Sequence, residues 1–457
     1  MGAVSRLARK MPGPLRRLYY ASVPFSVRYG SEFRETSKFL SRSQWWGRQE
    51  LEAHQLEQLG RLLEHAYAKV PYYQKVFNER GLKPRDIQSL ADLSKLPILT
   101  RDIIRENFDG LIATNVQREG LKKFSTSGST GNRLTFLGED ILYKAEAAYV
   151  ARAFSAHGSK LNDEMSIWLR RYVPDEGGSI FKHDLELRRL YLSAYHLSLN
   201  RLKEYVDLIN GCQARVLVGY PSSLYILASL LEGSGLRLTN VRVAHAASEQ
   251  MLAHWRQKIE TVLGIPVKAH YGMIEKVSMF FQCNCADFYH ESLEYGVTEF
   301  VNPEHGVGQV VGTGFLNYAM PFIRYQMNDT ARVNAGETKC KCGRGLPLSV
   351  EDFEGRADDI LVTSDGRYLP GVNFYTMMYK TPGVKMFQIM QQAPDSVEVL
   401  VVPSDTFDDT SMQLLRKGLT DRLGSVTLEI KLVNDIERSR QTGKIRCIIN
   451  NCKLALQ

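Results

Sequence analysis

Between Phe124 and Gly131 the chain reads Phe-Ser-Thr-Ser-Gly-Ser-Thr-Gly, so Ser127, Ser129 and Thr130 are interleaved with Gly128 and Gly131. Nothing in this run can pack a core. Hydroxyls and accessible backbone N–H groups in a concave, flexible turn suit a polyphosphate. No Gly-Lys-Ser/Thr follows, so the run is not a Walker A loop. A solvated Ser/Gly linker is the plain alternative. The cysteines offer a second chemistry. Four of the seven form Cys283-x-Cys285 and Cys340-x-Cys342, with Cys212, Cys447 and Cys452 set apart from them. Paired thiols point to a metal rather than to disulfides in a reducing compartment. Four thiolates at about 2.3 Å satisfy a tetrahedral Zn²⁺, and a fully ligated ion of this kind is structural. The spacing is shorter than the common C-x-x-C knuckle, so the pairs must come from different loops. His290 is the alternative to Cys285 as fourth ligand, and four unligated thiols are the alternative to a metal.

Charged and aromatic residues supply a third set. His270-Tyr271-Gly272-Met273-Ile274-Glu275 follows an apolar run, which places an aromatic ring and a carboxylate at a strand end. Tyr325-Gln326-Met327-Asn328-Asp329 sets an acid after another apolar run, Gly355-Arg356-x-Asp358-Asp359 marks a composition break, and Thr442-Gly443-Lys444 lies near the C-terminus. Each is weak alone: Tyr271 could be core, Glu275 a capping acid, Arg356 a surface ion-pair partner.

The elements that must hold these residues show in the apolar spacing. Leu51, Leu56, Leu59, Leu62, Leu63, His65 and Ala66 recur at helical intervals within 48–79, and Val70-Pro71-Tyr72-Tyr73 ends that stretch. Leu96 to Asp102 reads as a turn leading into an N-capped helix, and 140–157 is helical. From about 165, the apolar runs Met165–Leu169, Val216–Val218, Val241–Ala244 and Pro266–Ala269 alternate with helical segments 198–211, 221–234 and 249–263. That alternation implies a parallel sheet with ligands at the strand C-terminal ends. Glycines punctuate 293–335 and suggest an antiparallel layer or small barrel. Beyond the break at 355, strands at 384–403 and 427–433 enclose a helix at 409–424. The fold class is α/β: a large domain with parallel or mixed sheets and a small antiparallel layer, joined by a hinge to a small α+β C-terminal domain. The expected boundaries are a basic arm at 1–47, a large domain at 48–355 and a mobile domain at 356–457.

The 457 residues are 44% hydrophobic, with a net charge of +8. Residues 1–50 carry ten Lys/Arg and three Asp/Glu, so 10 − 3 = +7 sits in that segment. Its arginines are interleaved with Leu7, Met11, Leu15, Leu18, Tyr19 and Tyr20, a pattern that fits a basic amphipathic segment on an anionic membrane or assembly partner. A surface arm docked on its own domain is the alternative. The body lacks a basic stripe, which argues against nucleic acid. No run reaches the roughly 18–20 apolar residues of a membrane span, and no apolar signal region follows the N-terminal arginines. The sequence reads as cytoplasmic, with a possible peripheral contact at the inner membrane face.

Order and spacing together resemble the adenylate-forming (acyl-CoA synthetase) superfamily over roughly residues 50–450, in the sequence T-S-G-S-T-G, Y-G-x-x-E, an Asp motif, G-R-x-D-D and a final G-K. Cys340-Lys341-Cys342-Gly343-Arg344-Gly345-Leu346-Pro347 resembles the phenylacetate–CoA ligase-like branch, which includes members associated with capsular polysaccharide biosynthesis. In that branch a Cys-x-His often stands at the first pair, where this chain has Cys285. The resemblance implies that Ser127, Gly128, Ser129, Thr130 and Gly131 clasp the ATP phosphates and that Ser248 and Glu249 contact adenine. Tyr271 and Gly272 belong to the adenine-stacking motif. Glu275 would hold Mg²⁺, and Asp329 would accept the ribose hydroxyls. Arg356 would reach ribose or phosphate, Asp358 is the hinge, and Lys444 assists adenylation. The family threonine before the glutamate is Ile274 here, and Arg133 follows the loop where many members have a lysine.

The implied reaction uses ATP, Mg²⁺ and CoA: a small carboxylic acid becomes an acyl-adenylate, and CoA takes the acyl group. Transfer to a carrier protein, an amine or a sugar hydroxyl is the alternative acceptor chemistry, and a non-catalytic adenylate-binding scaffold is the third reading. The acid pocket is expected from the Trp168–Tyr172 strand end, the turn Gly219-Tyr220-Pro221-Ser222 and Ala244–Ala247.

Overall fold

The computed structural model describes residues 11–125, 134–170, 172, 178–336, 338–354, 360–437 and 446–452. The described residues divide into two compact units: those within Met1–Thr126, Leu134–Asp163 and Lys268–Gly355, and those within Glu164–Val267 and Arg356–Gln457. One unit boundary falls between Gly355 and Arg356, and residues 48–355 are divided between the two units.

The first unit begins with the basic arm, which is helical and docked. Helices α1 (Gly13–Ser22), α2 (Phe25–Tyr29) and α3 (Ser31–Ser43) are held by buried Tyr20, Phe25, Phe33 and Leu40. Arg28 is buried with them, its Nε donating to the Val23 carbonyl at 2.9 Å and its guanidinium lying over the Tyr20 and Phe25 rings. Next come α4 (Arg48–Lys69) and α5 (Pro71–Glu79). The break has a backbone cause: Pro71 has no N–H and pushes Val70 into an extended conformation, but its fixed φ suits the first turn of a new helix. The α4 residues Leu51, Leu59, Leu62, Leu63 and Ala66 are all fully buried, as their spacing requires. Gln55 shares that face and donates to the Gly296 carbonyl at 2.7 Å, which satisfies its amide in the core.

Short helix α6 (Arg101–Glu106) is capped by the Thr100 hydroxyl, and a hairpin of β1 (Lys122–Ser125) and β2 (Thr135–Gly138) precedes α7 (Ile141–Ser155). The rest of the unit is an antiparallel sheet built from β8 (Val267–Gly272), β9 (Met279–Cys283), β10 (Ala286–Glu291), β11 (Gly296–Glu304), β12 (Val307–Gly314), β13 (Tyr325–Val333) and β14 (Leu348–Glu354). The strand order is β11-β12-β13-β14-β10-β9-β8. The antiparallel layer expected at 293–335 is thus real, and it extends from β8 to β14. Arg152 of α7 pairs bidentately with Glu294, at 2.7 and 3.2 Å, and Ser43 of the arm donates to the same carboxylate at 2.6 Å. A buried charge is tolerated only when paired and hydrogen-bonded in this way.

In the second unit β3 (Ser166–Arg170), β5 (Arg189–Ser193), β6 (Val216–Gly219) and β7 (Val243–Ala246) are parallel, in the order β7-β6-β3-β5, and β4 (Phe181–Asp184) adds an antiparallel edge. Helices α8 (Leu202–Gly211), α9 (Pro221–Leu231) and α10 (Ala253–Leu263) alternate with them. The C-terminal part forms a hairpin of β15 (Ile360–Val362) and β16 (Tyr368–Pro370), then α11 (Val372–Lys380) and α12 (Asp409–Leu423). Its four-stranded sheet combines β17 (Val384–Ala393), β18 (Ser396–Pro403), β19 (Thr427–Leu432) and β20 (Ile448–Asn450) in the order β19-β18-β17-β20. Tyr195, just after β5, is seated in the hydrophobic core of this C-terminal part, and its hydroxyl donates to the Asn373 carbonyl at 3.0 Å.

Candidate functional site

The sheet of the first unit carries two polar clusters. One gathers at the C-terminal end of β8. Tyr271 stacks face to face on Phe353 of β14, with centroids 3.7 Å apart, and its hydroxyl donates to Asp329 Oδ2 on β13 at 2.8 Å. Glu275, in the turn after β8, accepts a 2.8 Å hydrogen bond from the Tyr325 hydroxyl, also on β13. Arg101 of α6 completes the group: its Nε donates to the Tyr325 hydroxyl at 3.1 Å and its Nη2 lies 3.8 Å from Glu275 Oε1. The Glu275 side chain is only 2% exposed. Burial pushes its carboxyl up from the ordinary value, while Arg101 and the Tyr325 hydrogen bond oppose that rise.

Two local devices hold the turn in place. Leu99 bonds by its N–H to the Arg324 carbonyl and by its carbonyl to the Gln326 N–H, at 2.9 and 3.0 Å, which ties the start of α6 to β13. A Cβ on Gly314 would lie 2.3 Å from the Lys276 carbonyl oxygen, so only glycine lets β12 approach the backbone that follows Glu275.

Tyr271, Glu275 and Asp329 stand out in the sequence, and the fold assembles them. Tyr325 is visible there only as part of the Asp329 motif. Arg101 gives no signal beyond heading a capped helix, and no spacing rule could join it to a turn 174 positions away. Gly272 is exposed at the end of β8. Ser248 is exposed after β7, with a left-handed φ of 76° that a serine adopts only under constraint. Glu249 caps α9: it accepts from the Ser222 N–H at 3.0 Å and from the Ser222 hydroxyl at 2.6 Å. This use of 247–252 as a capping loop is why α10 starts at Ala253 rather than at 249. Tyr220 is 2% exposed with the Arg170 guanidinium 4.9 Å from its ring, so it packs the start of α9 rather than an open pocket wall. Ser127, Gly128, Ser129, Thr130, Gly131, Arg133, Arg356, Asp358 and Lys444 lie outside the described residues.

The second cluster is a metal-type knuckle. Donor atoms of Cys283, His290, Cys340 and Cys342 lie within 4.8 Å of one another. The Cys283 and Cys340 sulfurs are 3.5 Å apart, and His290 Nε2 is 3.4 Å from Cys283 Sγ and 3.5 Å from Cys342 Sγ. Cys285 is not part of it: it is exposed, and its backbone N–H donates to Cys283 Sγ at 3.4 Å. The physical reason is the β9–β10 hairpin. Phe281 pairs with His290 across the ladder, and Cys283 lies two residues beyond Phe281 on the same face, whereas Cys285 is in the turn. His290 Nδ1–H donates to the Leu346 carbonyl at 2.8 Å, which directs Nε2 toward the sulfurs. Burial opposes charge here, yet the hydrogen bonds from His290 hold the Cys342 thiol down to about 5. Burial likewise disfavours imidazolium, and the Cys283 and Cys342 contacts still raise His290 to about 9. Three soft sulfurs and one oriented imidazole, with every position filled, fit a structural Zn²⁺.

Among known proteins, residues 361–451 match the family model of the CapK C-terminal domain. Protein CapK of Staphylococcus aureus is 25% identical over 390 residues, which cover 84% of this chain and 85% of that protein. Phenylacetate–coenzyme A ligase of Pseudomonas putida is 28% identical over 377 residues, covering 77% and 81%. The homologues of this chain are CapK and the phenylacetate–CoA ligases. In fold the chain is similar to the solved structure of a 2-hydroxyisobutyryl-CoA ligase in complex with 2-HIB-AMP and CoA, with a TM-score of 0.58 at 19% identity over 90% of this chain and 91% of that one. The mixed α/β architecture of the chain matches that of this solved ligase structure.

Proposed function

We propose that this chain activates a carboxylic acid with ATP and transfers the acyl group to CoA. The observation that carries the proposal is the cluster of Tyr271, Asp329, Glu275, Tyr325 and Arg101, drawn from β8, the turn after it, β13 and α6. Asp329 is the ribose acceptor, and the Tyr271 hydroxyl fixes the direction of its carboxylate. Phe353 holds the plane of the ring on which adenine stacks. Glu275 is the residue that would hold Mg²⁺, which when bound neutralises phosphate charge. In the first half-reaction a carboxylate oxygen attacks the α-phosphorus and pyrophosphate leaves. In the second, the CoA sulfur attacks the acyl carbon, the thiol loses its proton and AMP leaves. The hydroxyl loop at 127–131, Arg356 and Lys444 take the roles given by the family resemblance. A swing at Asp358 between the steps would have to release the Tyr195 and Leu197 contacts, the latter a 3.1 Å bond from the Tyr368 N–H.

A carrier protein, amine or sugar hydroxyl in place of CoA is the second reading, since the matches divide between CapK and the phenylacetate–CoA ligases. The test is pyrophosphate release from ATP and Mg²⁺ over a panel of carboxylic acids, with and without CoA, beside a Lys444→Ala control. Release dependent on one acid and lost in the control supports adenylation. AMP accumulation only with CoA identifies the ligase, and acid-dependent pyrophosphate release without CoA turnover supports the second acceptor. ATP binding with silence across the panel supports the scaffold reading.

A further inference from the structure

The outer face of α1 is apolar where a surface helix should be polar. Tyr20 is buried, and Arg16 and Tyr19 are half-buried beside it, so the inward side of the helix carries aromatic and basic residues. The opposite side presents Pro14, Leu15, Leu18 and Ala21, with Arg17 at its edge. Leu15 and Leu18 are 57% and 63% exposed, and Val27 on α2 is 55% exposed. Arm residues 11–47 hold four of the ten large apolar side chains exposed among the described residues: these three and Trp45. Isolated surface leucines need no explanation, but a pair one turn apart on a helix docked by its tyrosines does.

The sequence of this segment is one-sided in charge. The first 31 residues contain Arg6, Arg9, Lys10, Arg16, Arg17 and Arg28 and no carboxylate. The first acid of the chain, Glu32, is already engaged by Lys144 at 3.2 Å. Farther along α3, Arg34, Lys38 and Arg42 are exposed, with the exposed Glu35 3.6 Å from Arg34. Aliphatic side chains projecting from a convex helix among an excess of cations match an anionic lipid surface. The aliphatics enter the acyl boundary while the cations remain at the headgroups. No helix among the described residues is long and apolar enough to cross a membrane, so the contact is interfacial.

We propose that the arm seats the protein on an anionic bilayer through Leu15, Leu18 and Val27, with Arg17 and the neighbouring basic residues supplying the electrostatic term. This does not depend on the catalytic reading. The full-length protein is sedimented with vesicles of phosphatidylglycerol mixed with phosphatidylcholine, and with vesicles of phosphatidylcholine alone. Pelleting is expected only with the anionic vesicles, and it falls roughly tenfold in high salt. The double variant Leu15→Glu, Leu18→Glu lowers partitioning at least about tenfold, because each substitution removes an inserted aliphatic and adds a repelled charge. Its melting temperature should stay at the wild-type value because both side chains point outward. If it does not, Arg17→Glu and Leu18→Ser taken singly carry the same test. Absence of pelleting with anionic vesicles overturns the proposal. So does binding that is indifferent to these substitutions. A dimer in light scattering that Leu18→Ser dissolves, without lipid binding, assigns the face to a second copy of the chain and overturns the lipid reading.

Discussion

The two polar clusters belong to one antiparallel sheet but draw on different strands, the knuckle on β9 and β10 and the other cluster on β8 and β13, and they are built to opposite ends. In the knuckle, three sulfurs and one imidazole converge on a single point, and the loop that carries two of the sulfurs is fastened elsewhere. The Gly345 N–H donates to the Gln44 carbonyl at 3.0 Å and Arg344 Nε to the Gln44 side chain at 2.9 Å, so the knuckle also anchors the arm. In the β8 cluster the groups are hard oxygens and a guanidinium, held in two sets, Tyr271 with Asp329 and Arg101 with Tyr325 and Glu275, rather than around a point. Soft ligands with every position filled make a fastener. The Glu275 carboxylate is instead tied to one hydroxyl with a guanidinium beside it, so its oxygens are not gathered with others round one point. Burial of titratable groups is therefore not itself a sign of catalysis; donor type and convergence separate the two uses.

Breaking the knuckle should give the largest effect, and it should be on folding. Cys342→Ala or His290→Ala is expected to abolish a stoichiometric zinc measured by elemental analysis. A site worth ~3–5 kcal/mol shifts the melting temperature by roughly 6–20 °C in a unit of this size. Cys285→Ala should leave both zinc content and melting temperature unchanged. Zinc retained in the His290 variant but lost in the Cys285 variant would reverse the ligand assignment.

Glu275→Gln should do the converse. Acid-dependent pyrophosphate release falls by roughly 10²–10³, the scale of losing one preorganised electrostatic contact. The melting temperature and zinc content remain at wild-type values, because a neutral amide is no harder to bury than a carboxylate. A variant that unfolds while retaining specific activity would make Glu275 a structural acid.

Arg101 refines the contrast, because it belongs to the β8 cluster by geometry alone. Removing its charge with Arg101→Met leaves Tyr325 and Glu275 without their cationic neighbour. Turnover should drop about tenfold, with a shift in the Mg²⁺ concentration giving half-maximal ATP binding by calorimetry. Arg101→Lys restores part of this, since a lysine supplies charge without the fork that reaches both partners. Equal ATP binding and turnover in all three proteins would reduce Arg101 to a packing residue.

What could be read from the chain follows the range of the interactions involved. Alternating strands and helices from 165 to 267, and the core face of α4, were legible because periodicity is local. Tyr271, Glu275 and Asp329 were legible as positions in a spaced pattern. Arg101 was not, because the bridge between Leu99 and Tyr325 that brings α6 to β13 leaves no periodic trace. The fourth knuckle ligand was a choice between Cys285 and His290, and only the hairpin register decides which faces Cys283. Strand β5 leaves little local signal because the edge strand before it is polar, and Pro71 marks an end to α4 in the sequence because the same residue both stops one helix and starts the next.

The smallest expected effect tests whether the β8 cluster is fully equipped. Ile274 is half-buried in the turn that carries Glu275, at the position where the family pattern has a threonine. Its side chain cannot hydrogen-bond, so a donor expected near the α-phosphate is missing. One neutral hydrogen bond is worth about 0.5–1.5 kcal/mol, at most roughly tenfold in rate. Ile274→Thr should therefore raise acid-dependent pyrophosphate release by no more than about tenfold in an active enzyme, without moving the zinc content. A protein silent across the acid panel that gains turnover with this one substitution would show that Ile274 is what holds the adenylation site inactive. Slower turnover in the variant would mean that the turn has repacked around the aliphatic side chain and that the α-phosphate is stabilised from elsewhere.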